Sequence, residues 1–342
     1  MSEDPLLREP RSDAGAADTR ARWPGRRRKR GGSGEELMVP RAEFRSYYGR
    51  PVLKPPVWEW KVPAYLFTGG LAAGTSLLAA GADLTGRPSL RRVGRTGSLA
   101  ALVASVYLLV ADLGRPERFH HMLRVAKPTS PMSVGTWILT AFGPGMGVAA
   151  AAEVLPAGLR RRLPGKIVSA AARPAGLSSA VVAPAVASYT AVLLSQTAVP
   201  AWHEAHAELP FVFTGSAAAS SGGFAMALVP VAEAGPARAL AAFGAATELV
   251  ASKVLERRLG LTAEAYKTGK AHRLRTWSER LTAAGLLGAL AGHRSRAVSV
   301  AAGAALFAGS ALQRFGVFEA GVESTKDPKY VVVPQRERAN RS

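Results

Sequence analysis

The sequence predicts an all-α membrane protein of about eight transmembrane helices, arranged as two parallel-repeat four-helix bundles. Three observations carry this expectation. The 342-residue chain divides sharply: residues 1–56 hold 13 Lys/Arg and 8 Asp/Glu, and most of the remainder is Ala, Leu, Val and Gly. Six windows then carry no charged residue, at 62–82, 96–111, 128–152, 174–203, 209–232 and 297–313. A helix needs about 20 apolar residues to cross a bilayer core, and a soluble helix would alternate polar and apolar faces, which these windows do not. Finally, the chain repeats itself. "PAYLFTGGLAAGTS" (63–76) resembles "PFVFTGSAAASSGG" (210–223), so that Phe67, Thr68 and Gly69 fall on Phe213, Thr214 and Gly215 at an offset of 146, and Leu113 and Gly114 fall on Leu259 and Gly260. Four spans separate the copies, so both start on the same side, as a parallel duplication requires.

In chain order, residues 1–56 read as a disordered basic tail. Its "RWPGRRRKRGG" run suits a solvated segment beside anionic lipid better than a nucleic-acid site. The first apolar run starts near residue 62, too late and too long for a signal peptide. Eight spans follow, at roughly 60–82, 96–112, 131–154, 177–199, 209–232, 236–256, 277–293 and 296–320. The sixth is amphipathic and carries Glu248 and Lys253. The seventh is the weakest, because only 13 uncharged residues separate Arg280 from Arg294, and seven spans is the fallback. The spans make one transmembrane region, 57–322, divided into bundles at 57–200 and 201–322. A polar tail, 323–342, ends the chain. The glycines and alanines of "GGLAAGTSLLAAG" allow close helix packing, with a glycine-lined pore as the alternative.

Side A is the side on which the first span begins. Its loops and C-terminal tail hold 17 Lys/Arg against 12 for side B, and the N-terminal segment adds 14 more. The positive-inside rule therefore places both termini of this multi-pass cell-membrane protein in the cytoplasm. Side B offers "PSLRRVGR" and "LRRRLPGK", which read as solvated loops. Side A collects the chemistry: Trp58, Glu59, Trp60 and Lys61 before the first span, "DLGRPERFHH" after the second, Trp202, His203, Glu204 and His206 before the fifth, and a long loop after the sixth.

There is no cysteine, so the chain cannot itself ligate an iron–sulfur cluster. No histidine falls in the middle of a span, which argues against a membrane haem. Any electron carrier held by this chain is then expected to be a lipid-soluble organic molecule. A quinone headgroup needs hydrogen bonds to two oxygens and groups that supply or take up two protons. Tyr65, Asp112, Glu117, His120 and His121 are suited to that, and Trp58 and Trp60 to walling a ring. The plain alternatives are an interfacial tryptophan belt, a paired helix end at Asp112 and Arg115, and histidines facing solvent.

"YLFTGGLAAG", then "LLVADLGRPERFHHML", then "PTSPMSVGTWIL" resemble, in this order, motifs of the NrfD/polysulfide reductase membrane-subunit family. The strong motifs cover about residues 58–140. The resemblance implies an eight-helix subunit without haem, which exchanges electrons between a quinone pool, menaquinone above all, and a 4Fe-4S ferredoxin-like subunit wired to a molybdopterin catalytic subunit. It also implies a quinone pocket near the start of the first span and after the second. Here those regions hold Glu59, Trp60, Lys61 and Tyr65, and Asp112, Arg115, Glu117, Arg118, His120 and His121. The competing classes are a transporter or ion channel, for which Glu248, Lys253 and Arg314 are the candidate intramembrane charges, and a membrane anchor without redox function.

Overall fold

The computed structural model describes residues 51–291 and 295–340. The tail expected over 1–56 therefore lies outside the described residues up to residue 50, as do His293 and residues 341–342. Eight helices of 20 residues or more occur among the described residues: α1 Lys61–Leu84, α2 Pro88–Ala111, α3 Pro131–Val154, α4 Leu163–Ser195, α5 Leu209–Leu228, α6 Gly235–Arg258, α7 Gly269–Ala291 and α8 Arg296–Lys326. A further helix, α9, spans Lys329–Ala339. No strand forms among the described residues.

The helix starts are written locally. Helices α2 to α6 each carry a proline in the first two positions, where its missing N–H costs no hydrogen bond. Ser130 and Ser295 cap α3 and α8 by accepting hydrogen bonds from the backbone N–H groups of Ser133 and Val298. The helices pair as hairpins, α1 with α2, α3 with α4, α5 with α6 and α7 with α8. Contacts of α1 with α4 and of α5 with α8 close each group of four. The seam between the groups is built mainly from α1, α4 and α5, with α8 touching α1. Each group also inserts a 3₁₀ segment after its second helix, Pro116–Leu123 in the first and Gly260–Tyr266 in the second.

Small residues set the spacing. A Cβ on Gly223 of α5 would stand 2.6 Å from the Gly303 carbonyl of α8, and one on Gly215 would stand 2.9 Å from the Gly244 carbonyl of α6. These backbones meet because no side chain separates them, the packing solution available when lipid supplies no hydrophobic drive between helices.

Helices α1 to α5 and α8 are long and apolar enough to cross a membrane. Helices α6 and α7 match them in length but carry Glu248, Lys253 and Glu256, and Arg273, Arg275, Glu279 and Arg280. Several of these charges are buried and paired inside the second bundle, as described below.

The structure corrects three span limits and two loop assignments. Helix α2 begins at Pro88 rather than 96, α4 at Leu163 rather than 177, and α7 at Gly269 rather than 277. Apolarity stops at the first charge, whereas a helix continues wherever its charges find partners. "PSLRRVGR" is accordingly not a solvated loop but the opening of α2, with Arg95 only 5% exposed. "LRRRLPGK" divides between the short helix Ala157–Arg160 and the start of α4. The C-terminal segment is also structured. Tyr330 of α9 is buried in the same cluster as Val62 and Trp202, so the start of α1 and the C-terminal helix share side A.

Candidate functional site

On side A the two bundles end differently. The second is covered by a folded layer made of residues 200–208, the Gly260–Tyr266 segment and α9. Trp202 is fully buried there, and its Nε1 donates to the Val317 carbonyl at 2.8 Å. The Tyr266 hydroxyl donates to the Ala201 carbonyl at 2.8 Å. Arg258 pairs with Glu208 and donates to the Glu204 carbonyl. Over the first bundle, the corresponding Pro116–Leu123 segment is largely exposed and has no buried residue.

The start of α1 and the end of α2 form the mouth of the first bundle. Glu59 and Lys61 form an ion pair at 3.3 Å. Asp112 follows the last residue of α2, and its backbone N–H closes the helix on the Leu108 carbonyl. Its carboxyl is half-buried, and this partial burial pushes its pKa above the usual carboxylate range, with Lys61 pulling it down and Glu59 pushing it up. Glu59, Lys61 and Asp112 thus share one electrostatic environment. One turn below Lys61, Tyr65 is 4% exposed. Around it stand Ser105 of α2, whose hydroxyl donates to the Tyr65 carbonyl at 3.4 Å, and Tyr189 of α4. Tyr189 lies against Gly135 of α3 so closely that a Cβ there would fall inside its ring. Three helices of the first bundle therefore supply a polar lining at one depth below side A, Tyr65 from α1, Ser105 from α2 and Tyr189 from α4, and α3 makes room for it at Gly135. Leu108, Leu109 and Leu139 supply apolar surface beside it.

Of the ten residues expected at the site, the structure brings Glu59, Lys61, Tyr65 and Asp112 together. Trp60 is 60% exposed, and the tryptophan that packs inward is Trp58, stacked on Trp202 at 5.8 Å between ring centroids. Arg115, Glu117, Arg118, His120 and His121 lie on the exposed stretch. Asp112 and Arg115 form no ion pair, so the paired helix end is not observed. The His120 and His121 rings meet edge to face at 4.4 Å. Desolvation, then the neighbouring Arg124 and His120, holds His121 below the usual imidazole range. His121 also lines a groove of about 270 Å³ with Met122, Val125, Met132 and Ser133, between the 3₁₀ segment and the start of α3.

Sequence reasoning missed two features. Tyr189 and Gly135 stand far apart in the chain and form no motif. On side B, Arg95 bridges Asp83 and Glu153, at 3.0 Å to each, and so ties α2 to α1 and α3. The i, i+4 spacing of Arg91 and Arg95, with acids at the ends of two neighbouring spans, was the available signal for this network.

A family model described as "Polysulphide reductase, NrfD" matches residues 52–248, which is more than half of the chain and includes the whole first bundle with α5 and α6 as far as Glu248. No curated protein matches the chain.

Proposed function

The chain belongs to the polysulphide reductase NrfD family, and from that premise we propose that it exchanges electrons between a membrane quinone and an iron–sulfur subunit of a molybdopterin enzyme. The observation that supports this best is the polar lining of the first bundle, which lies wholly inside the matched residues. Its parts suit a quinone ring. Tyr65, Tyr189 and Ser105 are phenol and hydroxyl groups set among leucines, the mixture that a largely apolar ring with two oxygens requires. A bound quinone supplies two-electron chemistry coupled to two protons. Asp112 is the group placed to hold or pass a proton at the mouth, because partial burial already favours its protonated form. Lys61 and Glu59 tune that carboxyl from opposite directions. Menaquinone is the expected species.

Electrons require a second redox centre, and this chain has no cysteine with which to hold a cluster. The partner is therefore placed over side A of the first bundle. There the 3₁₀ segment stands exposed with Arg115, Arg118 and Arg124, whereas the second bundle is already capped by its own layer. A basic docking face favours an acidic partner surface and weakens with salt. With all eight long helices spanning, side A lies in the cytoplasm by its Lys/Arg excess.

The test is purification from native membranes in mild detergent, followed by solvent extraction and identification of bound lipids. Stoichiometric quinone, with a cysteine-rich cluster protein in the same particle, is the expected result. A particle with neither quinone nor cluster protein would overturn the proposal and favour the transport reading, which the buried charges of the second bundle support.

A further inference from the structure

The second bundle holds a chemistry that the quinone reading does not use. Every buried side-chain polar atom left without a hydrogen-bond partner among the described residues lies in it: Ser216 Oγ, Glu248 Oε2, Arg275 Nε, Thr282 Oγ1, and Arg314 Nε and Nη1. Such atoms are rare singly. Ser216 and Thr282 stand within reach of the Glu248 carboxyl, and the arginine N–H groups that no protein acceptor takes are ones that water can complete. These buried atoms come from α5, α6, α7 and α8, one helix of the bundle after another.

These groups form a seam that begins at the side A surface. There Lys253, Glu256 and Glu279 are partly exposed, and Arg275, only 4% exposed, reaches Glu256 at 2.8 Å and Glu279 at 3.6 Å. The Tyr266 ring closes the other face of Arg275, 5.1 Å from its guanidinium carbon. One turn deeper, Gln313 donates to Ser252 at 3.3 Å and accepts from Ser278 at 3.3 Å. Another turn inward, the Glu248 carboxyl stands among Ser216, Thr282 and the Arg314 guanidinium. Glu248, Ser252 and Glu256 follow one another at i, i+4 and i+8 along a single face of α6. Arg314 donates to the Phe213 carbonyl at 2.7 Å and lies 3.7 Å from the centre of the Phe213 ring. On its far side it faces Gly70 of α1, at the seam with the first bundle. Towards side B the same helices present Gly222, Gly223, Ala237, Ala241, Ala289 and Leu306, and the buried Ser220, Ser221 and Ser299 there spend their hydroxyls on backbone carbonyls, so the run of unpartnered polar groups stops at the centre.

We infer that the second bundle is a proton-access path from side A, with water filling the seam and Glu248 as the proton acceptor at its inner end. The charged groups facing Glu248 are Arg314 from α8 and, more distantly, Arg275 from α7. Helix α5 offers Ser216, and α1 offers the glycine backbone at Gly70. In the step itself a hydronium ion arriving from side A breaks one of its O–H bonds and becomes water as the Glu248 carboxylate forms that O–H bond, while Arg314 remains a cation held by Phe213. One cation, Arg314, stands beside the carboxylate, because Arg275 is already paired with Glu256 and Glu279, and it offsets the cost of holding a charge at this depth without a full ion-pair cage. An isolated buried acid would lack that offset.

The absence of cysteine makes the test direct, and it requires no quinone. Single cysteines at Ser252, Ser278, Thr282 and Ser299 are placed in the full chain, in vesicles. Ser299 is fully buried in the side B half, donating to the Met226 carbonyl, and Thr268→Cys serves as an exposed control. Silver ion, small enough to follow a file of water, is added on the face that carries the C-terminus, and free thiol is then counted with a fluorophore after denaturation. The path predicts loss of labelling at 252, 278, 282 and 268, and full labelling at 299. Protection of 252, 278 and 282 alongside a reactive 268 would overturn it. Independently, infrared titration of the full chain should show a protonated-carboxyl band that grows as pH falls, is lost in Glu248→Gln and persists in Glu256→Gln. A Glu248 that stays ionised across the titration would make the pair with Arg314 a fixed structural tie and overturn the assignment.

Discussion

Replacing Arg95 with methionine should be among the most destabilising single changes in the first bundle. The Arg95 side chain is 6% exposed and bridges two carboxylates that are themselves about one-tenth exposed, Glu153 through Nη1 and Asp83 through Nη2, at 3.0 Å each. A hydrogen bond to a charged group contributes roughly 1.5–3 kcal/mol, so the two lost bonds amount to about 3–6 kcal/mol. Arg91 remains beside the same acids, 2.8 Å from Glu153 and 3.7 Å from Asp83. It is about one-third exposed, and water screens what it returns to about 1 kcal/mol. The net expectation is a loss of about 3 kcal/mol, as for other buried ion pairs from which one partner is removed. The assay is reversible unfolding in mixed micelles, followed by circular dichroism. Because most of the cost is the charge left behind, Asp83→Asn added to Arg95→Met should recover part of the loss. A single variant as stable as the parent, or a double variant less stable than the single one, would refute the argument that α1, α2 and α3 are locked by paired charge rather than by apolar packing.

Three further outcomes are expected. Asp112→Asn should slow quinone-linked electron transfer about 100-fold, within the usual reach of a lost proton-transfer group. Because Lys61 pulls the Asp112 carboxyl down and Glu59 pushes it up, Lys61→Met should move the Asp112 limb of the pH–rate profile to higher pH and Glu59→Gln to lower pH; shifts in the same direction would contradict the assignment. A Cβ on Gly321 would fall inside the Trp202 indole, so Gly321→Ala should destabilise the fold by about 1–3 kcal/mol, the usual cost of overpacking, and alter tryptophan emission; unchanged emission and stability would show that the indole has room to move. Reporter fusions after residues 86 and 161 should read as external and one after 340 as internal, and the reverse pattern would place the mouth of the first bundle outside the cell.

The long helices were legible because lipid-facing sequence is monotonous. A stretch with no charge, opened by proline or a capping serine, has few alternatives to a helix. Their starts were less legible, since Arg91 and Arg95 look like loop charges until Asp83 and Glu153 are seen beside them. The mouth of the site was half legible. Lys61, Tyr65 and Asp112 lie within recognisable motifs, whereas Trp60, Arg115 and the paired histidines share those motifs and point into solvent. Tyr189 and Gly135 were invisible, because only the crossing of α3 and α4 brings them to Tyr65.

Glu248 and Arg314 show where the division falls. The sequence by itself determined the helical class, the family and the presence of Glu248 and Arg314 within helical segments. Those properties depend on composition and on spacing along one chain. Only the tertiary structure decided that the two charges face each other, that buried polar atoms of four helices gather around them, and that Arg314 also reaches Gly70 of the first bundle. A side chain's partners are set by helix rotation and crossing, and these arise from the summed fit of many small residues on four helices. No local stretch of sequence encodes that sum.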